Sequence, residues 1–233
     1  GRHYLVMEML SGSSLGARMK AGTIPLPEMC RILVDVCHAL EAAHAKNVIH
    51  RDLKPDNVFL HEGGEAGGDL TVKLLDFGIA KLQGDSEDTP HTSTGAVMGT
   101  PKYLAPEQAR GLAVSPASDV YSLGVVLFEM LTGKLPFEAR TPMEYIQHHI
   151  TKPPIHLDAR VAERTFPSGL GDVLAKALEK RPEDRYVTAA NFADALKAFA
   201  PGGGKGFSGL FPKDHAALEK ASQTHAEAKA IPT

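Results

Sequence analysis

His50-Arg51-Asp52-Leu53-Lys54-Pro55-Asp56-Asn57 is the stretch on which the reading of this chain turns. Its spacing, H-R-D-L-x-x-x-N, sets an acid, a lysine and an amide within one short loop. With equal residue frequencies, the five fixed positions would arise by chance in a chain of this length in about one case in ten thousand. Asp76-Phe77-Gly78 and then Ala105-Pro106-Glu107 follow in order. Either triplet alone is weak, whereas the ordered set is specific.

Working outward, Pro27 opens a predicted helix over 27–46, with Ile32, Leu33, Val36, Leu40 and Ala43 at helical spacing. Cys30 and Cys37, the only two cysteines, fall on one face of it, too far apart to pair, and read as small core residues. Residues 58–60 and 72–75 read as short strands around a Gly-rich tip at 62–68. Asn57 immediately precedes the first strand and Asp76 immediately follows the second. Antiparallel pairing would bring them to one end, roughly 5 Å apart. An amide oxygen and a carboxylate there are hard donors suited to Mg²⁺.

Residues 79–115 form a long loop without sustained periodicity, rich in Ser, Thr, Gly and Pro. A helix apolar almost all round follows, with Ser115 as cap, Pro116 in its first turn and Gly133 at its end, so it should be central and buried. Further helices are predicted near 141–150, 168–180 and 188–199. Residues 4–9 read as a strand closed by a turn at Ser11-Gly12-Ser13-Ser14. After Pro201 a Gly run and an Ala/Lys/Glu-rich segment read as a linker or disordered tail over 201–233.

The ordered motifs resemble those of the protein kinase family, most closely the bacterial eukaryotic-like (Hanks-type) serine/threonine kinases, over about residues 4–200. The resemblance implies a mainly α fold: a kinase C-terminal lobe, with a small β-hairpin at the catalytic site. It makes residues 1–200 a hinge plus C-lobe, lacking the N-terminal β lobe with its glycine-rich loop and lysine. It implies ATP-dependent phosphorylation of serine or threonine hydroxyls on protein substrates by the parent protein, with ATP and Mg²⁺. The isolated chain is expected to be inactive. By this resemblance Asp52 takes the substrate proton, Lys54 neutralises the γ-phosphate, and Asn57 and Asp76 hold the metal. Met7, the Glu8 carbonyl, the Leu10 amide and Phe59 would surround the adenine. Arg51 would dock a phosphorylated Thr92 or Thr94, and Thr100 would bond the catalytic pair. His50, Phe77, Gly78, Asp119 and the Glu107–Arg185 ion pair would be structural. Asp119 in particular would accept catalytic-loop N–H groups.

Composition narrows the alternatives. The chain has 233 residues, 43% hydrophobic and 23% charged, with net charge −3, so nucleic acid is not expected as a partner. No apolar run reaches the length of a membrane span. A cytoplasmic kinase domain fits, with a parent that membrane anchoring would suit and a kinase dimer for trans-autophosphorylation. The eleven histidines, including His148-His149, show no zinc-site spacing and are expected to be solvated or capping. Two other readings stand beside the kinase. One is a non-catalytic lobe that binds proteins. The other is a small-molecule phosphotransferase, disfavoured by the stretch 99–107, which suits a peptide substrate. Without a small lobe, apolar surface near 4–10 and Phe77 should be exposed.

Overall fold

The computed structural model describes residues 8–62, 70–77 and 101–200. Within them a three-stranded sheet, β1 (Gly12–Ser14), β2 (Val58–Glu62) and β3 (Leu70–Leu74), sits against a set of helices. The helices are α1 (Leu15–Ala21), α2 (Leu26–His44), α3 (Pro106–Ala109), α4 (Pro116–Thr132), α5 (Pro142–Thr151), α6 (Leu157–Arg160), α7 (Leu170–Ala177) and α8 (Ala189–Lys197). Short 3₁₀ turns at Pro55–Asn57, Pro101–Tyr103 and Pro182–Asp184 connect them.

The centre is α4. Every residue of it except Pro116 and Glu129 is buried, as its all-round apolar pattern demands. Ser115 precedes it, donating its N–H to the Ser118 hydroxyl at 3.0 Å, and Gly133 ends it in the left-handed conformation at φ 68°. Helix α2 buries Met29, Ile32, Leu33, Val36 and Leu40 on one stripe. Cys30 and Cys37 lie in the same stripe as free, fully buried thiols, and burial pushes Cys30 up to about 11. No helix among the described residues is long and apolar enough to cross a membrane.

The segment 11–14 departs from expectation. It is not a closing turn: Gly12–Ser14 forms an edge strand, antiparallel to β2, with Ser13 opposite Leu60. Gly12 adopts φ 124°, and a Cβ there would stand 2.1 Å from the Leu60 carbonyl oxygen, so only glycine permits this approach. Ser14 then caps α1 by accepting the Ala17 N–H at 3.1 Å. The small polar residues serve close packing and capping here, which mimics turn chemistry in sequence. The strand expected over 4–9 lies mostly outside the described residues, and the part within them, from Glu8, is not a strand.

The paired histidines are a second correction. His148 and His149 are both buried, at 8% and 0% exposure, because α5 is covered both by α3 and by the turn at Pro101–Tyr103. His149 Nε2 donates to the Lys102 carbonyl at 3.0 Å, and Nδ1 accepts the Tyr121 hydroxyl at 2.9 Å. That pairing suits the neutral ring, and burial holds its pKa at about 4, below the usual 6.5. The unfolded chain therefore binds the proton first. The stability held by this histidine is complete above about pH 6.5 and is lost as pH falls toward 4, in all roughly 3 kcal/mol. Urea unfolding at several pH values should show this loss, and His149→Gln should show a shallower pH slope. Equal slopes for the two proteins would refute it.

Candidate active site

Asp119, in the first turn of α4, anchors the loop that carries the 50–57 motif. Its carboxylate is 1% exposed, a state that is costly without hydrogen bonds. Oδ2 accepts the His50 N–H at 2.9 Å and His44 Nε2 at 2.8 Å, and Oδ1 accepts the Arg51 N–H at 3.0 Å. The anchoring expected of Asp119 is therefore present. His44, in the last turn of α2, is a third donor that no sequence motif marks. Arg51 is held at φ 67°, a left-handed conformation that a non-glycine residue keeps only when its surroundings impose it.

His50 joins this loop to the next. Its ring is fully buried, Nε2 donates to the Leu75 carbonyl at 2.9 Å, and Nδ1 faces the Asp52 N–H at 3.4 Å. These partners fix the neutral tautomer with the proton on Nε2. Burial lowers the pKa, against the pull of Asp119 and the Leu75 carbonyl. The Phe77 ring lies 4.7 Å from the imidazole, centroid to centroid, so Phe77 is half-buried. Met9, by contrast, is 91% exposed, so of the apolar surface expected near 4–10 and Phe77, Met9 is the clear instance.

Asp52, Lys54 and Asn57 converge. Lys54 Nζ donates to Asp52 Oδ2 at 2.9 Å, and Asn57 Nδ2 donates to the Asp52 carbonyl at 2.9 Å and to Oδ2 at 3.2 Å. Spending its N–H₂ on Asp52 leaves Asn57 its side-chain oxygen, which would serve as a metal donor. The hairpin pairs antiparallel as expected, Val58 opposite Leu74, and the Leu75 N–H donates to the main-chain carbonyl of Asn57 at 2.9 Å. Asp76 is the next residue, exposed and at φ 49°. Among the described residues no three His, Cys, Asp or Glu side chains form a metal cluster. The Asn57 amide oxygen and the Asp76 carboxylate would make a donor set of two protein oxygens, one neutral and one anionic. That fits Mg²⁺, which keeps water and takes phosphate oxygens beside few protein ligands.

On β2 the side chains alternate. Val58 and Leu60 enter the core, while Phe59 takes the other face, opposite Lys73 on β3. Lys73 Nζ reaches the Glu8 carboxylate at 3.1 Å, so the 8–10 segment, with Leu10, runs beside the face that bears Phe59. Met7, Gly78, Thr92, Thr94 and Thr100 lie outside the described residues, as do the tip at 63–69 and the expected linker at 201–233.

Beyond the long loop, Glu107 and Arg185 form the expected ion pair, bidentate at 2.8 Å for each oxygen. Burial raises the Glu107 pKa, but hydrogen bonds from Arg185 and Ser118 outweigh it and hold the group below the usual carboxylate range. Tyr103 donates to the Glu129 carboxylate at 2.6 Å. Gln108, which belongs to none of the sequence motifs, reaches back to the Arg51 carbonyl at 2.9 Å.

Comparison with known proteins agrees with this architecture. A family described as "Protein kinase domain" matches residues 1–196. The chain is 41% identical over 201 residues to serine/threonine-protein kinase Pkn1 of Myxococcus xanthus, covering 84% of this chain and 27% of that protein. It is 41% identical over 196 residues to serine/threonine-protein kinase PknB of Mycobacterium leprae, covering 83% of this chain and 30% of that protein. The crystal structure of a mutant Mycobacterium tuberculosis PknI kinase domain superposes with a TM-score of 0.61 at 27% identity, covering 83% of this chain and 64% of that one. The chain thus spans under a third of the length of these curated relatives. With the 50–57 loop anchored on Asp119, the hairpin bringing Asn57 near Asp76, and bacterial serine/threonine-protein kinases as its relatives, this chain belongs to the protein kinase domain family.

Proposed function

We propose that the protein carrying this chain transfers the γ-phosphoryl group of ATP to serine or threonine hydroxyls of protein substrates. The observation that carries the reading is the Asp52 carboxylate, held by Lys54 and Asn57 at the end of the hairpin that leads to Asp76. In the reaction the substrate oxygen bonds to the γ-phosphorus as the bond to the bridging oxygen of ADP breaks. Asp52 orients the hydroxyl and takes its proton. Lys54 offsets negative charge on the transferring group. Asn57 and Asp76 would hold Mg²⁺, whose chemistry when bound is to neutralise phosphate charge. The Glu8 carbonyl, Leu10 amide and Phe59 are assigned to the adenine, and Thr100 to the catalytic pair. Thr92 and Thr94 are assigned as phosphorylation sites that dock on Arg51, filled in trans within a kinase dimer. With ATP as donor, the reading places the catalytic unit in the cytoplasm.

The test uses the full-length protein with ATP and a serine-containing peptide, read by intact mass. A phosphate, about 80 Da, should appear on the peptide with Mg²⁺ and disappear when EDTA removes the metal. It should be absent from a peptide with alanine in place of serine. No transfer under any of these conditions would leave the protein-binding lobe as the reading to pursue.

A further inference from the structure

We infer that Gln108 is a positioning residue for phosphoryl transfer, acting through the main chain of the catalytic loop; the inference rests on the function proposed above. The two ends of its amide do different things. Oε1 accepts the Ala105 N–H at 3.2 Å, which closes the N-terminus of the four-residue helix α3. Nε2 donates to the Arg51 carbonyl at 2.9 Å. The amide orientation follows from the partners, since the reverse would set oxygen against oxygen and N–H against N–H.

Arg51 is the residue before Asp52, and its backbone is gripped on both sides. Asp119 takes its N–H at 3.0 Å and Gln108 takes its carbonyl. The peptide between these grips and Asp52 starts from a left-handed residue, φ 67°, that would relax without partners. Gln108 is thus the bond through which the Ala105–Glu107 end of the long loop fixes the peptide that aims the Asp52 carboxylate. Glu107 ties that end to Arg185 on the far side, so the clamp links a rigid ion pair to the reacting acid. Closing α3 needs only Oε1. The reach to Arg51, across 57 residues of sequence, is what local capping does not require.

Gln108→Glu separates the two roles. A carboxylate keeps the acceptor for Ala105 but has no hydrogen for the Arg51 carbonyl, while the protonated acid regains one. Full-length protein, Gln108→Glu and Gln108→Leu are compared by kcat, KM for ATP, KM for peptide and Tm, with Asp52→Asn as blank. At about pH 8, Gln108→Glu should lose kcat about tenfold, with both KM values within about twofold and Tm close to the parent's. Gln108→Leu, which removes the acceptor for Ala105 as well, should lose kcat at least as far and lower Tm in addition. Parent-like kcat in Gln108→Glu, or a lost kcat accompanied by a fall in Tm as large as that of Gln108→Leu, would overturn the clamp. Parent turnover no higher than the Asp52→Asn blank would overturn the kinase reading, and the clamp with it.

Discussion

Asp52→Asn is expected to lower phosphoryl transfer by the full-length protein about a hundred- to ten-thousand-fold while leaving its unfolding temperature unchanged. Both contacts to the carboxylate, from Lys54 Nζ at 2.9 Å and Asn57 Nδ2 at 3.2 Å, fall on Oδ2. An asparagine can present its carbonyl oxygen to the same two donors, so the loop keeps its shape. The side chain is about a quarter exposed, so little packing is at stake. What the substitution removes is the second carboxylate oxygen, replaced by an N–H₂ that cannot accept a proton from a hydroxyl. Loss of turnover with an unchanged melting curve separates a chemical role from a structural one. A fall in Tm of several degrees alongside the lost activity would assign Asp52 to the scaffold instead.

Arg185→Ala is expected to act in the opposite way, on the fold before the chemistry. The Arg185 side chain is 0% exposed, and each of its five N–H groups has an acceptor. Nε donates to the Glu179 carbonyl at 2.7 Å. One terminal nitrogen serves Glu107 Oε1 at 2.8 Å and the Ala117 carbonyl at 2.9 Å, and the other serves Glu107 Oε2 at 2.8 Å and the Lys180 carbonyl at 3.0 Å. Truncation leaves a buried carboxylate and three carbonyls without these donors, a loss of about 3–5 kcal/mol. Typical domains hold only about 5–15 kcal/mol in all, so the variant should lose a large share of its stability and unfold at a much lower urea concentration. Lysine should not rescue it, because an ammonium has three donors and no planar fork. Urea titration of parent, Arg185→Ala and Arg185→Lys measures this. A loss below about 1 kcal/mol for the alanine variant would mean that the pair contributes no more than a surface salt bridge.

Much of this site is legible along the chain itself. Asp52, Lys54 and Asn57 sit within one loop, so their convergence follows from local geometry. Asn57 and Asp76 needed only one further premise, that two short strands pair antiparallel, and the register of Val58 with Leu74 meets it. The burial of α4 followed from a helix with no polar face, and its ends from Ser115 and Gly133. Asp119 stood out as a carboxylate inside that helix, for which buried partners are obligatory.

Other features had no signature along the chain. His44 meets Asp119 across 75 residues, and Gln108 meets Arg51 across 57. One of eleven histidines and a glutamine in a four-residue helix carry no pattern that marks such partners. Gly12 resembled a turn because close backbone approach and turning both select glycine. His148 and His149 read as solvated because adjacent helical positions point in different directions, and both become buried only when α5 is covered on two sides. The sequence by itself determined the types, order and loop of the candidate site residues, since these rest on spacing and on the periods of helix and strand. The tertiary structure alone decided which distant side chains hold that loop in its left-handed conformation, because hydrogen bonds between remote segments depend on packing that no local period encodes.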